Sequence, residues 1–567
     1  MLTDAQKSDF VIIGGVAAGP KAAATLARRV PNASITLFQR EEHLSYATCG
    51  FPFFASGEVN SFEELLKTSF GVVRDAEFFR NVKGFSAITS AEVTRIDRKK
   101  KTITAKLLET GETVEHGYGR LVIATGATPT RAPMPVPDSS RVRPFTRPAD
   151  VIDFRQNAQR GEIENAVIVG GGFIGVELCE AVKDMWGIEA TLFEKQSQLL
   201  PYMLDKEMAA IVQRSMVSEG VDVVTDADVV EIQLDAEGKP VVSVRGREPL
   251  STDYVFLCLG VQPEVSLARD CGLDIGETGG IRVDQFLRTN DADIFAGGDC
   301  IESRHAITGK PCYLSMGSLA NRHGRVIAEN LAGETTEYPG VLGAFVLRAF
   351  ETHIGGVGLC EQPARDAGFE VRSVWGSFSD RPDYNPEVKT LSLKMLYEEG
   401  TNRLLGLQAV GKGDICRRVD VFSSLLRQGA LVDDLFDFEH GYAPPFAEAL
   451  DPLHHMAGIA AAGQRNVTFV SPDIASVSIG NDDVLLDVRE TDEANTELIP
   501  IPLSETSEKI VVIPLTELRD RVGELDRDRR VLVICRRGMR AYHAALILQA
   551  AGFERIEILA AGLLAQW

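Results

Sequence analysis

The sequence lacks the features that mark several large classes of protein. No apolar run approaches the roughly 18 residues of a membrane span. The first residues, MLTDAQKSDF, have neither the basic region nor the apolar core of a signal peptide. The nine cysteines form no CxxC pair and no zinc-like spacing with the histidines. We therefore predict no membrane partner, no bound metal and a reducing, cytoplasmic location.

Positive charge is also scarce. The chain has 59 Lys and Arg against 81 Asp and Glu, which gives a net charge of −22 at pH 7. This balance argues against nucleic acid as a partner, and an anionic ligand would need a local basic patch. The 567 residues exceed what one hydrophobic core holds, so the length favours about three to four domains.

A glycine turn follows the first apolar run. Residues 9–19, DFVIIGGVAAG, lead from a predicted strand into an alanine-rich helix. Gly14 and Gly19 hold the outer positions of a GxGxxG dinucleotide fingerprint, and Val16 replaces the middle glycine. The next predicted strand is followed by Gln39, where an acidic residue usually binds ribose; an amide can still hydrogen-bond there. A pyrophosphate would lie on the amides at the helix N-terminus.

A second, complete fingerprint lies further along the chain. Residues 166–177, AVIVGGGFIGVE, contain Gly170, Gly172 and Gly175. The following predicted strand ends at Glu194, whose carboxylate would accept a hydrogen bond from a ribose 2′-hydroxyl and repel a 2′-phosphate. Two such turns predict two nucleotide sites, and Glu194 favours NADH over NADPH.

One cysteine follows the first nucleotide unit closely. Residues 45–54 read SYATCGFPFF, so Cys49 has no second cysteine one helical turn later. A single sulfur can cycle between a thiolate and either a sulfenic acid or a mixed disulfide with a small thiol. A buried structural cysteine is the alternative, because free cysteine is among the most buried residue types.

The order of these motifs resembles the pyridine nucleotide-disulfide oxidoreductases. Between and after the fingerprints come LVIATGA, with Thr125 and Gly126, and TNDADIFAGGD, which ends at Asp299. The resemblance implies bound FAD, with Asp299 on its ribitol. It also implies that the helix containing Asn321, in MGSLANRHGR, directs its N-terminus at the flavin, which suits a reduced, anionic ring.

Within that family the chain resembles coenzyme A-disulfide reductase. The reductases carry the pattern SFxNCGxPYY, and Ser45 and Cys49 of this chain match its serine and cysteine. Thr48 stands in place of the asparagine, and two phenylalanines replace the two tyrosines. The stretch GYAPPF also matches, and the resemblance implies that Tyr442 reaches the cysteine of a partner subunit in a homodimer. Tyr384, in RPDYNPE, is a second candidate. A core aromatic in the dimerisation domain is the alternative for Tyr442.

Coenzyme A would need cations for its phosphates. Alignment with the family places its basic positions on Arg28 and Lys83. We therefore predict that these two residues bind coenzyme A, although basic surface residues are often only solvated.

The C-terminal part resembles a rhodanese domain. VLLDVR is followed by VLVICRRGMRA, a predicted strand, a CxxGxR loop and a helix. Amides at a helix N-terminus would surround Cys535 and stabilise its thiolate, with Arg536 and Arg537 adding charge and Arg540 closing the loop. The six-residue loop suits a sulfur atom. An inactive, purely structural rhodanese domain is the alternative.

The predicted fold class is α/β: a two-dinucleotide-binding-domain flavoprotein with FAD and NAD Rossmann-like domains, an α+β dimerisation domain and a C-terminal α/β rhodanese domain. The predicted boundaries are 1–148 and 262–336 for the FAD-binding domain, 149–261 for the NAD-binding domain, 337–463 for the dimerisation domain, 464–480 for a linker and 481–567 for the rhodanese domain.

The resemblance implies NADH-dependent, FAD-mediated reduction of coenzyme A persulfides or polysulfides through Cys49, with sulfane sulfur handled at Cys535. Coenzyme A is then a substrate or a bound ligand. The alternatives are a coenzyme A-disulfide reductase with a vestigial rhodanese tail, and a sulfur carrier or sensor that does not turn over.

Overall fold

The structure is a computed structural model that describes residues 6–463, 468–472, 480, 482–496, 499 and 510–566. The chain divides into two compact units. The first unit comprises Met1–Phe193 and Ala227–Val341, and the second comprises Glu194–Asp226 and Leu342–Trp567. Most of the predicted linker 464–480 and the last predicted rhodanese residue, Trp567, lie outside the described residues.

The first unit contains the sheet that carries the first glycine turn. Its strands lie in the order Ser86–Ile88, Ile35–Phe38, Gln6–Ile13, Thr113–Ile123, Thr102–Leu107 and Ala91–Asp97, with Ile294–Ala296 also beside Thr113–Ile123. The central strands are parallel, and the last two pairings are antiparallel. Val11, Ile12 and Leu121 are fully buried, as expected for strands covered on both faces.

The second glycine turn belongs to another parallel arrangement in the same unit. Its strands run in the order Glu189–Phe193, Asn165–Val169, Tyr254–Leu257 and Val142–Pro144. An antiparallel sheet of Val229–Leu234, Pro240–Val244 and Leu250–Ser251 accompanies it. The longer helices of the unit are Ala18–Arg29, Phe51–Ser56, Pro148–Gln159, Phe173–Lys183 and Gly317–Leu331.

Two helices of the first unit approach each other very closely. A Cβ atom on Gly324 would lie 2.5 Å from the carbonyl oxygen of Ala18, so only glycine fits between Gly317–Leu331 and Ala18–Arg29. This close packing fixes the helix after the Asp299 motif against the helix of the first glycine turn.

The second unit contains an antiparallel sheet and a buried charge. The strands lie in the order Phe345–Ala349, Thr352–Gly358, Leu404–Gly411, Thr390–Glu398 and Val371–Ser379. Lys394 in this sheet is 1% exposed, and its Nζ lies 2.8 Å from Asp205 and 3.0 Å from Glu361. A buried ammonium needs such carboxylates, so Lys394 ties the segment before helix Lys206–Ser218 to the sheet.

The C-terminal part of the second unit is a parallel sheet. Its strands lie in the order Thr468–Val470, Ile556–Leu559, Val531–Ile534, Val484–Asp487 and Ile510–Val512. Helix Met539–Ala550 packs on it with alanines and Leu548 buried. The mixed α/β architecture that was predicted for the chain is confirmed.

None of the helices within the described ranges is both long and apolar enough to cross a bilayer. Among the same residues, no group of three or more His, Cys, Asp and Glu side chains is arranged to hold a metal ion.

Candidate active site

The two glycine turns have the same backbone construction. Gly14 and Gly170 have φ values of +110° and +112°, a region that disfavours side chains. A Cβ atom on Gly19 would lie 1.9 Å from the Gly14 carbonyl oxygen, and one on Gly175 would lie 1.9 Å from that of Gly170. The chain therefore passes from each strand into its helix by the same tight route, although Val16 stands in the middle of the first turn.

Open backbone beside both glycine turns suits the binding of a dinucleotide. A Cβ atom on Gly172 would meet no atom within 4 Å, and the same holds for Gly126, which follows the neighbouring strand of the first sheet. Backbone that is open at the carboxyl ends of parallel strands is where pyrophosphates bind in such sheets. The residues present therefore fit FAD at the first turn and a nicotinamide dinucleotide at the second.

The predicted FAD residues gather at one edge of the first sheet. Gly14, Thr125 and Asp299 follow the carboxyl ends of three adjacent parallel strands. Burial raises the pKa of the Asp299 carboxyl, which accepts a hydrogen bond from the Ser315 hydroxyl at 2.6 Å. Asn321 lies in the first turns of Gly317–Leu331, where its amide donates to the Gly317 carbonyl at 2.9 Å.

Gln39 supports the first turn directly. Its buried side chain accepts a hydrogen bond from the Gly15 backbone N–H at 2.8 Å. The amide oxygen is thus engaged within the protein, and the predicted contact with ribose would come from the amide nitrogen. Glu194 directly follows strand Glu189–Phe193, and its Oε1 accepts from the Gln196 N–H at 2.7 Å.

Cys49 lies in an exposed position at the start of a short helix. It sits in the 3-10 turn Thr48–Gly50, which continues into Phe51–Ser56. All nine cysteines of the chain are described, and each is a free thiol. Ser45 adopts φ +49°, and its N–H donates to the Gly15 carbonyl at 2.7 Å, so the cysteine segment is attached to the first glycine turn.

The Cys49 helix is also held from its other end. Arg155 as a whole residue is 8% exposed. Its guanidinium donates to the carbonyls of Phe54, at 2.8 Å, of Val59, and of Asn60, at 3.1 Å. It lies 4.4 Å from the centre of the Phe54 ring. Trp186 Nε1 donates to the Ala55 carbonyl at 2.7 Å. The buried Arg155 cation thus satisfies carbonyls in the last turn of helix Phe51–Ser56 and in the segment just after it, and its charge opposes the helix dipole.

The predicted coenzyme A residues lie on neighbouring elements of the first unit. Arg28, in the last turn of Ala18–Arg29, donates to the Thr25 hydroxyl at 3.1 Å. Lys83 ends the π-helical turn Phe79–Lys83, and its Nζ lies 5.4 Å from the centre of the Phe78 ring. Thr48 is exposed beside Cys49. Their contact with coenzyme A stays a prediction.

The loops that carry the two candidate tyrosines meet in the second unit. The Asn385 amide, next to Tyr384, donates to the Pro444 carbonyl in the GYAPPF stretch at 3.2 Å. Tyr384 and Tyr442 are 75% and 53% exposed. Both side chains are therefore accessible in adjacent loops, and their contact with a partner subunit stays a prediction.

Cys535 lies in a cradle of backbone amides. Its Sγ accepts hydrogen bonds from the N–H groups of Gly538, at 3.0 Å, and Ala541, at 3.4 Å. The Cys535 carbonyl accepts from the Leu563 N–H at 2.9 Å, which fixes the loop to the C-terminal segment. Cys535 is buried, at 1% exposed, and its sulfur lies at the start of helix Met539–Ala550, an end of a helix where backbone N–H groups and the dipole favour a negatively charged ligand.

The arginines of this loop differ in their surroundings. Arg540 makes a two-pronged ion pair with Glu493, with both N–O distances at 2.7 Å. Hydrogen bonding to Arg540 lowers the pKa of Glu493. Arg536 is exposed, whereas Arg537 pairs with Asp383. Arg540 therefore shapes the loop through Glu493, and its predicted contact with substrate stays a prediction.

Sequence reasoning missed Glu177, Arg155 and Asp383. Glu177 lies in helix Phe173–Lys183, and burial, with Glu180 nearby, raises its pKa to about 7. Its signal was available, since it ends the second fingerprint and is flanked by apolar residues. Arg155 and Asp383 act through contacts with distant parts of the chain, which no local pattern reveals.

Comparison with known proteins agrees with this geometry. Residues 8–317 match the pyridine nucleotide-disulphide oxidoreductase family model, residues 348–454 match its dimerisation domain and residues 471–566 match the rhodanese-like domain.

Two relatives from Pyrococcus species cover most of the chain. The NAD(P)H sulfur oxidoreductase (CoA-dependent) of Pyrococcus abyssi is 32% identical over 80% of this chain and 98% of its own. The NAD(P)H coenzyme A polysulfide/persulfide reductase of Pyrococcus horikoshii has the same identity and coverage.

Two solved structures match nearly the whole chain. The NAD-dependent persulfide reductase from A. fulgidus is 36% identical, with a TM-score of 0.92 over 98% of this chain and 99% of its own. The reduced CoADR-RHD of Bacillus anthracis is 30% identical, with a TM-score of 0.89 over 100% and 98%.

Proposed function

Because the chain belongs to the pyridine nucleotide-disulphide oxidoreductase family, we propose that it is an FAD-dependent oxidoreductase that reduces coenzyme A persulfides and polysulfides with NADH. The products are a thiol and sulfide. The observation that carries the proposal is the exposed thiol of Cys49, attached to the first glycine turn and with no second cysteine one helical turn later in the sequence. The names of the two Pyrococcus relatives and of the A. fulgidus structure support the substrate class.

The chemistry at Cys49 follows from its being a single thiol. Bound FAD would take a hydride from NADH and supply two electrons to sulfur. The Cys49 thiolate attacks the coenzyme A-bound sulfur of a persulfide, hydrosulfide leaves, and a mixed disulfide with coenzyme A forms. Two electrons and one proton then cleave that disulfide to the Cys49 thiolate and the coenzyme A thiol.

The remaining predicted residues take supporting roles. Arg28 and Lys83 would bind the phosphates of coenzyme A, and Thr48 would contact the pantetheine arm beside Cys49. The protein would act as a cytoplasmic homodimer, in which the exposed hydroxyls of Tyr384 and Tyr442 approach Cys49 of the partner subunit. Cys535, with Arg536, would receive sulfane sulfur from donors that are too large for the Cys49 site.

A substrate panel tests the proposal. The holoenzyme is first mixed anaerobically with NADH, and loss of the oxidised flavin absorbance is expected. NADH consumption is then compared for coenzyme A persulfide, coenzyme A disulfide and inorganic polysulfide at equal concentration. Preference for the persulfide supports the proposal. Preference for the disulfide supports the simpler reductase with a vestigial tail, a class to which the CoADR-RHD structure's name points. Absence of flavin bleaching supports a carrier or sensor.

A further inference from the structure

Three segments that are far apart in sequence meet in the second unit. They are the loop of Cys535, the loop of Tyr384 and the GYAPPF stretch of Tyr442. The Arg537 guanidinium Nη1 lies 3.0 and 3.1 Å from the two carboxylate oxygens of Asp383, the neighbour of Tyr384. The Tyr384 loop is joined to the GYAPPF stretch through Asn385 and Pro444. The rhodanese loop is therefore attached to the loops that carry both exposed tyrosines.

Arg537 is part of the loop that holds the Cys535 sulfur. The next residue, Gly538, donates its N–H to the Cys535 sulfur. A Cβ atom on Gly562 would lie 2.6 Å from the Arg537 nitrogen and 2.6 Å from the Cys535 carbonyl oxygen, so the C-terminal segment packs tightly behind the loop. The position of Arg537 is thus coupled to the backbone that holds the Cys535 sulfur.

Asp383 is fixed in its own domain. Its Oδ1 accepts a hydrogen bond from the Ser379 hydroxyl at 2.5 Å, at the end of strand Val371–Ser379. The hydrogen bond from Ser379, together with Arg537, lowers the pKa of Asp383, so the carboxylate is charged at neutral pH. The pair therefore joins two anchored ends.

Stability does not explain this pair. The side chains of Arg537 and Asp383 are 30% and 66% exposed, and exposed ion pairs contribute only about 0–1 kcal/mol. The energy of such a pair is small compared with the fold of either domain. Its geometry matters instead, because it favours one particular orientation of the Cys535 loop relative to the tyrosine loops.

We propose that the Arg537–Asp383 pair is a docking contact that presents Cys535 to a thiol acceptor at the tyrosine loops and so sets the efficiency of sulfur delivery to the reductase. This inference rests on the proposed function. In the delivery step the coenzyme A thiolate attacks the outer sulfur of the Cys535 persulfide. The bond between that sulfur and Cys535 breaks, its electron pair stays on Cys535 as a thiolate, and coenzyme A persulfide forms with no net oxidation.

The test uses Asp383→Asn in the full-length holoenzyme, with three assays. The first is sulfur transfer from thiosulfate to cyanide, which needs Cys535 alone. The second is NADH consumption with free coenzyme A persulfide, which needs the flavin and Cys49. The third is NADH consumption with thiosulfate and coenzyme A together, which needs both sites. We expect the first two rates to be unchanged and the third to fall by about two- to fivefold, the range for an exposed ion pair.

A matched control comes from the same loop. Glu387→Gln also removes one carboxylate, but Glu387 pairs with Arg381, at 2.9 Å, and not with the rhodanese loop. This variant should keep all three rates. Raising the ionic strength should lower the third rate in the wild type more than in Asp383→Asn, because salt screens an exposed pair.

Two outcomes would overturn the docking contact. One is a third rate that equals the wild type in Asp383→Asn. The other is an equal loss in all three assays, with Asp383→Glu no better, which would make Asp383 a general structural residue. Failure of the proposed function gives a different pattern, since the second assay would then be absent in the wild type as well.

Discussion

At the scale of single residues, Cys49 separates the two halves of the proposed reaction. Hydride transfer needs the two nucleotide sites, whereas reduction of sulfur needs a thiolate nucleophile. Cys49→Ser should therefore keep its flavin and be reduced by NADH at near the wild-type rate, yet lose turnover of coenzyme A persulfide. Stopped-flow flavin bleaching and steady-state NADH consumption measure the two halves separately. Turnover at the wild-type rate would remove Cys49 from the mechanism, and Cys416→Ser, which changes another exposed thiol, is the control.

Glu194 makes a prediction about the choice of nucleotide. Its carboxylate follows the strand after the second glycine turn, where ribose hydroxyls bind. Glu194→Gln should lower the ratio of kcat/KM for NADH over NADPH by about tenfold, the factor for a charge-assisted hydrogen bond worth about 1.5 kcal/mol. Glu189→Gln, on the same strand but paired with Lys183, should leave the ratio unchanged. Equal ratios in the wild type and Glu194→Gln would assign the preference to another residue.

Glu177 makes a prediction about pH. Burial raises the pKa of the Glu177 carboxyl from 4.5 to about 7. Between these two pH values the native state keeps a proton that the unfolded chain has released. Its contribution to stability is therefore full below pH 4.5 and is lost as the pH rises towards 7. Glu177→Gln, which is neutral at every pH, should raise the melting temperature at pH 8 and change it little at pH 4.5. Thermal unfolding at both pH values tests this, and an equal shift at both would contradict it.

At the scale of the element, Arg155 anchors helix Phe51–Ser56, which directly follows the turn of Cys49. From helix Pro148–Gln159 it donates to the carbonyl of Phe54 in this helix and to the carbonyls of Val59 and Asn60 in the segment that follows. Arg155→Gln should lower the melting temperature and the rate of persulfide turnover, because buried carbonyls lose their donors at about 1–3 kcal/mol for each group. Arg160→Gln, which changes an exposed arginine directly after the same helix, is the matched control. If both variants behave alike, the helix does not depend on Arg155.

The elements also explain what the sequence could predict. The glycine turns and the Cys535 loop are each a strand, a turn and a helix in continuous chain, so local patterns identify them. The contacts of Arg155 with Phe54, and of Arg537 with Asp383, join residues about 100 and 154 positions apart. No periodicity carries that information, because it arises only when separate elements pack. For the same reason the role of Gln39 as a partner of the Gly15 N–H could not be inferred.

At the scale of the whole molecule, the two cysteines of the proposed reaction belong to different units. Cys49 lies in the first and Cys535 in the second, and each has its own supporting backbone. One thiol can therefore be removed without disturbing the fold around the other. If the rhodanese domain only supplies sulfur, its loss should matter for some substrates and not for others.

If the proposed function holds, the size of the sulfur donor should decide which substrates need Cys535. Free coenzyme A persulfide can reach Cys49 directly, so Cys535→Ser should leave its reduction largely intact. Under the proposed function we expect a protein persulfide or a long polysulfide to be too large for a site that binds a pantetheine arm, so that its sulfur is first taken by Cys535. Turnover of these larger donors should therefore fall to near the background rate. Parallel NADH assays on both substrate types, with Cys416→Ser as the control, decide the question. Equal loss on both would place Cys535 inside the reductive cycle, and no loss on either would leave the rhodanese domain without a role in turnover.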